Sequence, residues 1–209
     1  MEKKAIILLI TSVLAILAFI IGFFCGARSH KPSQTGSGSN ETSENTEATF
    51  DISQCYSVTY NGDFTYSYQV TDQQGNVLLC DDHSTREPSI KQVDTNILGV
   101  TIQTGTGLST NWAIYCDVEK GQISETFQYV LGAQGDYVIY VTYKNGQHGI
   151  VVQDIFDKAA YCQAYPLEDC SPVAADVVVG CEFNGNGTAT ITYLTGEDYT
   201  ETDLIIDIL

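Results

Sequence analysis

Between Cys55 and Leu209 apolar residues recur with period two in runs separated by polar turns, and that period decides the fold class. Side chains of an extended strand point alternately to opposite faces, so alternation of apolar with polar residues marks a half-buried strand. Phe64, Tyr66, Tyr68 and Val70 alternate with Thr65, Ser67 and Gln69. Trp112, Ile114, Cys116 and Val118 alternate with Ala113, Tyr115 and Asp117, and Ala189, Ile191 and Tyr193 with Thr188, Thr190 and Thr192. Only Asp157 to Tyr165 has room for a helical turn or two before Pro166.

The turns set the register of these strands. A two-residue turn at Asn145-Gly146 places Tyr143 opposite His148, Val141 opposite Ile150 and Ile139 opposite Val152, apolar against apolar. The same geometry at Lys120-Gly121 pairs Val118 with Ile123, Ile114 with Phe127 and Trp112 with Tyr129. At Asn61-Gly62 a two-residue turn would set Phe64 against Thr59. Counting Asp63 into a three-residue loop pairs Tyr60 with Phe64 and Val58 with Tyr66. Val138, Tyr140 and Val151 make the hairpin from Tyr137 to Phe156 apolar on both faces, so it is expected to be the most buried pair. The chain from Phe50 is therefore expected to be all-β, an antiparallel meander closed as a sandwich or barrel. A propeller-like stack of small sheets is the alternative, although no clean repeat supports it.

Two segments precede this domain. Ala5 to Ala27 is 23 residues without a charge. At about 1.5 Å per residue it is long enough to cross a hydrocarbon core of about 30 Å. Residues 1–30 are accordingly expected to be a membrane anchor, a single transmembrane helix. The small residues of Cys25-Gly26-Ala27 leave signal-peptide cleavage after Ala27, and so secretion, as the alternative. Phe24 before Cys25 is too bulky for the small residue that lipoprotein cleavage wants. Lys3 and Lys4 precede the run and Arg28 and Lys31 follow it, so flanking charge scarcely orients it. A short head is easily kept in the cytoplasm, and the expected topology is single-pass with the domain outside the cell membrane. Residues 31–49 hold Ser, Thr, Gly and Glu without a large apolar side chain, which reads as a disordered linker. The domain is 50–209.

Charge excludes one class of function. From Phe50 onward five Lys/Arg (Arg86, Lys91, Lys120, Lys144, Lys158) face 22 Asp/Glu. Such a surface repels phosphates, so no nucleic acid partner is expected. Beyond the membrane, reached through the N-terminal helix, the expected partners are an extracellular protein, peptide or glycan. Thirteen Tyr and one Trp are what an aromatic peptide- or glycan-binding face would use, although Tyr also packs well on strands.

Six cysteines follow the anchor: Cys55, Cys80, Cys116, Cys162, Cys170 and Cys181. Outside the cell they are candidates for disulfides; as residues of a core they would be small apolar side chains. Zinc would want C-x-x-C or C-x-x-H spacing, and neither is present.

The strings Gly105-Thr106-Gly107-Leu108 with Trp112 to Gln128, Gln153-Asp154-Ile155-Phe156-Asp157-Lys158, and Thr192 to Glu201 resemble a group of membrane-anchored or secreted β-domain proteins of Clostridia-type gut bacteria. The resemblance covers roughly residues 95 to 205. It implies a bacterial cell surface, where the sequons at Asn40 and Asn186 have no meaning and disulfides are few. It implies no activity.

No nucleophile elbow, zincin helix, phosphate loop, dinucleotide fingerprint or calcium loop occurs. Asp81-Asp82-His83 is the densest polar cluster and a candidate for metal ligation; the plainer reading is a solvated loop. Cys80 with His83 is the one local pairing suited to thiol chemistry, and no catalytic carboxylate pair can be chosen among so many acids. The expected function is a non-catalytic binding or interaction module without a cofactor. The alternative is a secreted or cell-surface hydrolase using two carboxylates scattered in sequence.

Overall fold

The computed structural model describes residues 50–170 and 177–208. The anchor from Ala5 to Ala27, Cys25 and the linker 31–49 lie outside the described residues. Among the described residues no helix is long and apolar enough to cross a membrane.

After one 3-10 turn at Ile52–Cys55, the chain lays down four antiparallel sheets in succession. The first is β1 (Tyr56–Tyr60), β2 (Tyr66–Thr71) and β3 (Val77–Ser84). The second runs β4 (Pro88–Asp94), β5 (Ile97–Gln103) and β6 (Asn111–Asp117). The short β7 (Gln122–Ile123) and β8 (Phe127–Gln128) pair with opposite ends of β6. The third is β9 (Val130–Gln134), β10 (Tyr137–Lys144), β11 (Gln147–Asp154) and β12 (Cys162–Pro166). The fourth is β13 (Val178–Phe183), β14 (Thr188–Thr195) and β15 (Thr200–Asp207). Strand order in each sheet is chain order, as expected of a meander. None of the sheets closes on itself, which corrects the expectation of a barrel.

Three buried clusters lie between consecutive sheets. Tyr68 and Val70 of the first sheet meet Leu98, Val100, Ile102 and Cys116 of the second. Ile97, Ala113, Tyr115 and Phe127, from the other face of the second sheet, meet Val130 and Val138 of the third. Ile139, Val141, Ile150 and Val152, from the other face of the third, meet Val178, Ala189, Ile191 and Ile206 of the fourth. The two inner sheets are thus apolar on both faces, which is why β5, β6, β10 and β11 carry near-continuous apolar runs. Each fully buried aliphatic side chain contributes about 1.5–3 kcal/mol. Packing between sheets is close. A Cβ added at Gly132 of β9 would come within 2.9 Å of the Phe183 ring of β13.

The hairpin at Asn145-Gly146 has the expected register, with Tyr143 opposite His148, Val141 opposite Ile150 and Ile139 opposite Val152. Its central residues have φ of 54° and 82°, the left-handed pair that a tight two-residue turn needs and that Asn-Gly tolerates. Two other turns differ from expectation. Asp117 pairs with Gln122, and Cys116 with Ile123, so the loop holds four residues, Val118 to Gly121. The Asp117 carboxylate captures the amides of Glu119 (3.1 Å) and Lys120 (2.9 Å), building a wider turn than Lys-Gly alone implies. Further on, Phe127 pairs with Ala113 rather than Ile114, a one-residue slip that changes its face. The face holding Ala113 and Tyr115, expected to be outward, is as buried as its opposite. At Asn61, Tyr60 pairs with Tyr66, leaving a five-residue loop, Asn61 to Thr65. Asp63 accepts from the Thr65 amide at 3.1 Å there, and Phe64 stands at the tip, 85% exposed. Cys162 to Tyr165, expected to be part of a helical turn, forms most of the edge strand β12.

Candidate binding groove

The polar run Asp81-Asp82-His83 is not a loop. It forms the end of β3, where the pairing with β2 shifts register between Tyr66 and Tyr68. Asp81 and His83 border a cleft of about 400 Å³ shared with Arg86, Thr104 and Trp112. The Asp82 carbonyl is taken instead by Asn61 (3.0 Å) and Ser67 (3.1 Å). Among the described residues no three His, Cys, Asp or Glu side chains converge as metal ligands.

The six cysteines are thiols scattered over the fold. Cys55 and Cys116 are buried in the first core, Cys170 and Cys181 lie half-buried against the third, and Cys80 and Cys162 are exposed on β3 and β12. Burial pushes the Cys116 thiol up to about 12 and Cys181 to about 11, which leaves neither a useful thiolate at neutral pH. His148 faces the Tyr143 ring at 4.7 Å, as its place in the hairpin implies, but it is also buried, and among the described residues neither ring nitrogen has a hydrogen-bond partner.

A second concavity, of about 380 Å³, opens where the chain leaves the second sheet for the third. One wall is Glu125 to Tyr129, at the margin of the second sheet; the other is β10 from Tyr140 to Tyr143, with Lys158 alongside. The margin is broken for a local reason. The Ser124 hydroxyl accepts from the Tyr115 amide at 2.9 Å and ends β7, and β8 resumes only at Phe127. Tyr129 then crosses between sheets. Its amide donates to the Asn111 carbonyl (2.9 Å) and its carbonyl accepts from the Val141 amide (2.9 Å). That double role holds Tyr129 at φ 57°, a left-handed conformation uncommon for an aromatic residue, and leaves it 41% exposed at the lip.

The polar groups of the groove are fixed in a chain. Tyr140 Oη donates to Gln153 Oε1 at 2.9 Å, and Gln153 Nε2 donates to Glu125 Oε1 at 2.8 Å. Burial, aided by Cys162 and Glu125, pushes the Tyr140 phenol up to about 12, so it keeps its proton and remains the donor. Gln153, 1% exposed, has its oxygen and one N–H engaged by this pairing, and among the described residues the second Glu125 oxygen has no donor. Phe127 packs beneath, its ring centroid 5.6 Å from Tyr140 and 5.8 Å from Tyr115.

The five concavities described in the domain each carry at most one carboxylate: Glu125 here, Asp81 beside Trp112, Asp136 beside Tyr137, and none in the other two. The sequence points to an aromatic face but places none of Tyr129, Tyr140, Glu125 or Gln153 on it. Phe127-Gln128-Tyr129 was the available signal, and the Lys120 register misplaced it. No family model, curated protein or solved structure matches the chain.

Proposed function

We propose that this chain is a membrane-tethered, extracytoplasmic binding module without catalytic activity, and that the groove between the second and third sheets takes its ligand. The scaffold is an open, propeller-like stack of small sheets, held outside the cell by the Ala5–Ala27 segment and spaced from it by the linker. The observation that carries the reading is the Tyr140–Gln153–Glu125 chain, which orients polar groups along a groove of ligand-accepting size beside the exposed Tyr129 ring. Hydrolysis by a carboxylate pair is the weaker reading, because none of the five concavities described brings two carboxylates together.

The test is binding of the full chain in detergent to arrays of capped peptides and of cell-wall oligosaccharides. Binding lost in Tyr129→Ala and weakened in Gln153→Ala supports the reading. Turnover of a peptide or glycoside substrate that persists in both variants overturns it.

A further inference from the structure

Resting on that reading, we propose that the groove is an interrupted sheet edge that accepts one strand of an extended peptide, added to β10 at Thr142–Lys144. β11 pairs with β10 along its whole length, Tyr137 to Lys144. On the other side β9 accompanies β10 only from Tyr137 to Tyr140, after which the Tyr129 carbonyl takes the Val141 amide. Phe127 and Gln128, which would have continued that strand, pair with β6 instead. Among the described residues no strand lies beside Thr142, Tyr143 and Lys144 on that side.

The alternation of an antiparallel ladder says which groups are open. Lys144 and Gln147 close the two-residue turn and exchange hydrogen bonds, so Tyr143 and Val141 belong to the non-hydrogen-bonded pairs with β11. Their N–H and C=O groups point away from β11. Val141 shows this directly, since its amide donates to Tyr129 at 2.9 Å. Tyr143, two residues further, presents an N–H and a C=O together into the vacated space. A peptide strand answers both with its own C=O and N–H, whereas a sugar offers hydroxyls without that spacing.

The chemistry of the occupant follows from the lining. Glu125 and Lys158 are its charged residues, one of each sign, in a domain with five bases against 22 acids. A neutral groove on an acidic surface suits an uncharged segment, with apolar side chains at alternate positions to meet Tyr129 and Tyr140. Three residues without a strand beside them, at about 3.3 Å each, give a short register of about 10 Å centred on the open groups of Tyr143, and exposed Lys144 at its end discourages longer pairing.

The probes are capped heptapeptides alternating Thr with Val, Ile, Phe or Tyr, run beside chitin and peptidoglycan oligosaccharides on the full chain in detergent. At least one peptide should bind, and it should slow amide exchange across 141–145 about tenfold. N-methylating the peptide amide that meets the Tyr143 carbonyl should weaken binding about tenfold or more, and N-methylating its neighbour should not. Tyr143→Pro removes the open donor and spares the β11 hydrogen bonds, and it should weaken binding more than Tyr143→Ala, which loses the same ring but keeps the N–H. If that variant misfolds, the N-methyl comparison decides. Oligosaccharide binding without peptide binding overturns the strand proposal and keeps the groove; peptide binding indifferent to N-methylation does the same. Binding of neither class overturns both.

Discussion

The side chain of Asn111 pairs with the backbone of Val130 as a strand would. Its Nδ2 donates to the Val130 carbonyl at 2.9 Å, and its Oδ1 accepts from the Val130 amide at 3.0 Å. Nδ2 also reaches the Leu108 carbonyl at 3.2 Å. One buried carboxamide therefore docks the first residue of β9 onto the second sheet, directly behind the left-handed Tyr129. Asn111→Ala orphans a buried N–H and C=O at Val130, each costing about 1–3 kcal/mol. Asn111→Asp keeps the acceptor but turns the donor into an oxygen facing a carbonyl, and should cost at least as much. Denaturant midpoints at constant slope measure both.

Ile139 is fully buried in the third core, between the third and fourth sheets. Ile139→Ala should cost about 2–5 kcal/mol through lost transfer energy and the cavity left behind. Gln69→Ala, at an exposed position of β2, should stay within about 0.5 kcal/mol. Equal midpoints for the two variants would contradict the packing described.

Acid stability should depend on Asp72. Its Oδ1 accepts from the amides of Gln74 (2.9 Å) and Asn76 (2.8 Å), and its Oδ2 from Asn76 Nδ2 (2.7 Å). The Asn76 side chain first, and these turn amides after it, hold the carboxyl below its ordinary value. The unfolded chain therefore binds the proton more readily than the folded one, and stability rises with pH through that window. The contribution is complete above the unfolded value near about 3.9 and is lost as pH falls through the folded one. The stability gap between the protein and Asp72→Ala should be constant above about pH 5 and narrow below about pH 4. Trp112 fluorescence against urea at stepped pH reads it; a gap independent of pH would contradict the assignment.

Thiol labelling should sort the cysteines by place. Cys162, exposed on β12, should react with a maleimide in the folded protein, whereas Cys116, buried and with its thiol raised to about 12, should react only on unfolding. Mass spectrometry of labelled peptides distinguishes them. Native labelling of Cys116 at the Cys162 rate would place the first core wrongly.

The sequence by itself determined what is local. The period of two dictates strands, because alternate side chains of an extended chain face opposite ways. Asn145-Gly146 dictates its turn and register, because few other pairs accept positive φ twice in succession. The two-faced burial of the third sheet's hairpin was also legible, since Val138 and Ile139 cannot both face water. Tertiary structure decided the rest. Whether the strands closed a barrel depended on how successive sheets met, and three separate cores formed between them. The Asp117 carboxylate and the Ser124 hydroxyl set the slip along β6, because each supplies hydrogen bonds that compete with the ladder. The groove itself joins Glu125 to Gln153 and Tyr129 to Val141. Those partners are far apart in sequence and meet only because the chain changes sheets at Tyr129, a relation that no local pattern encodes.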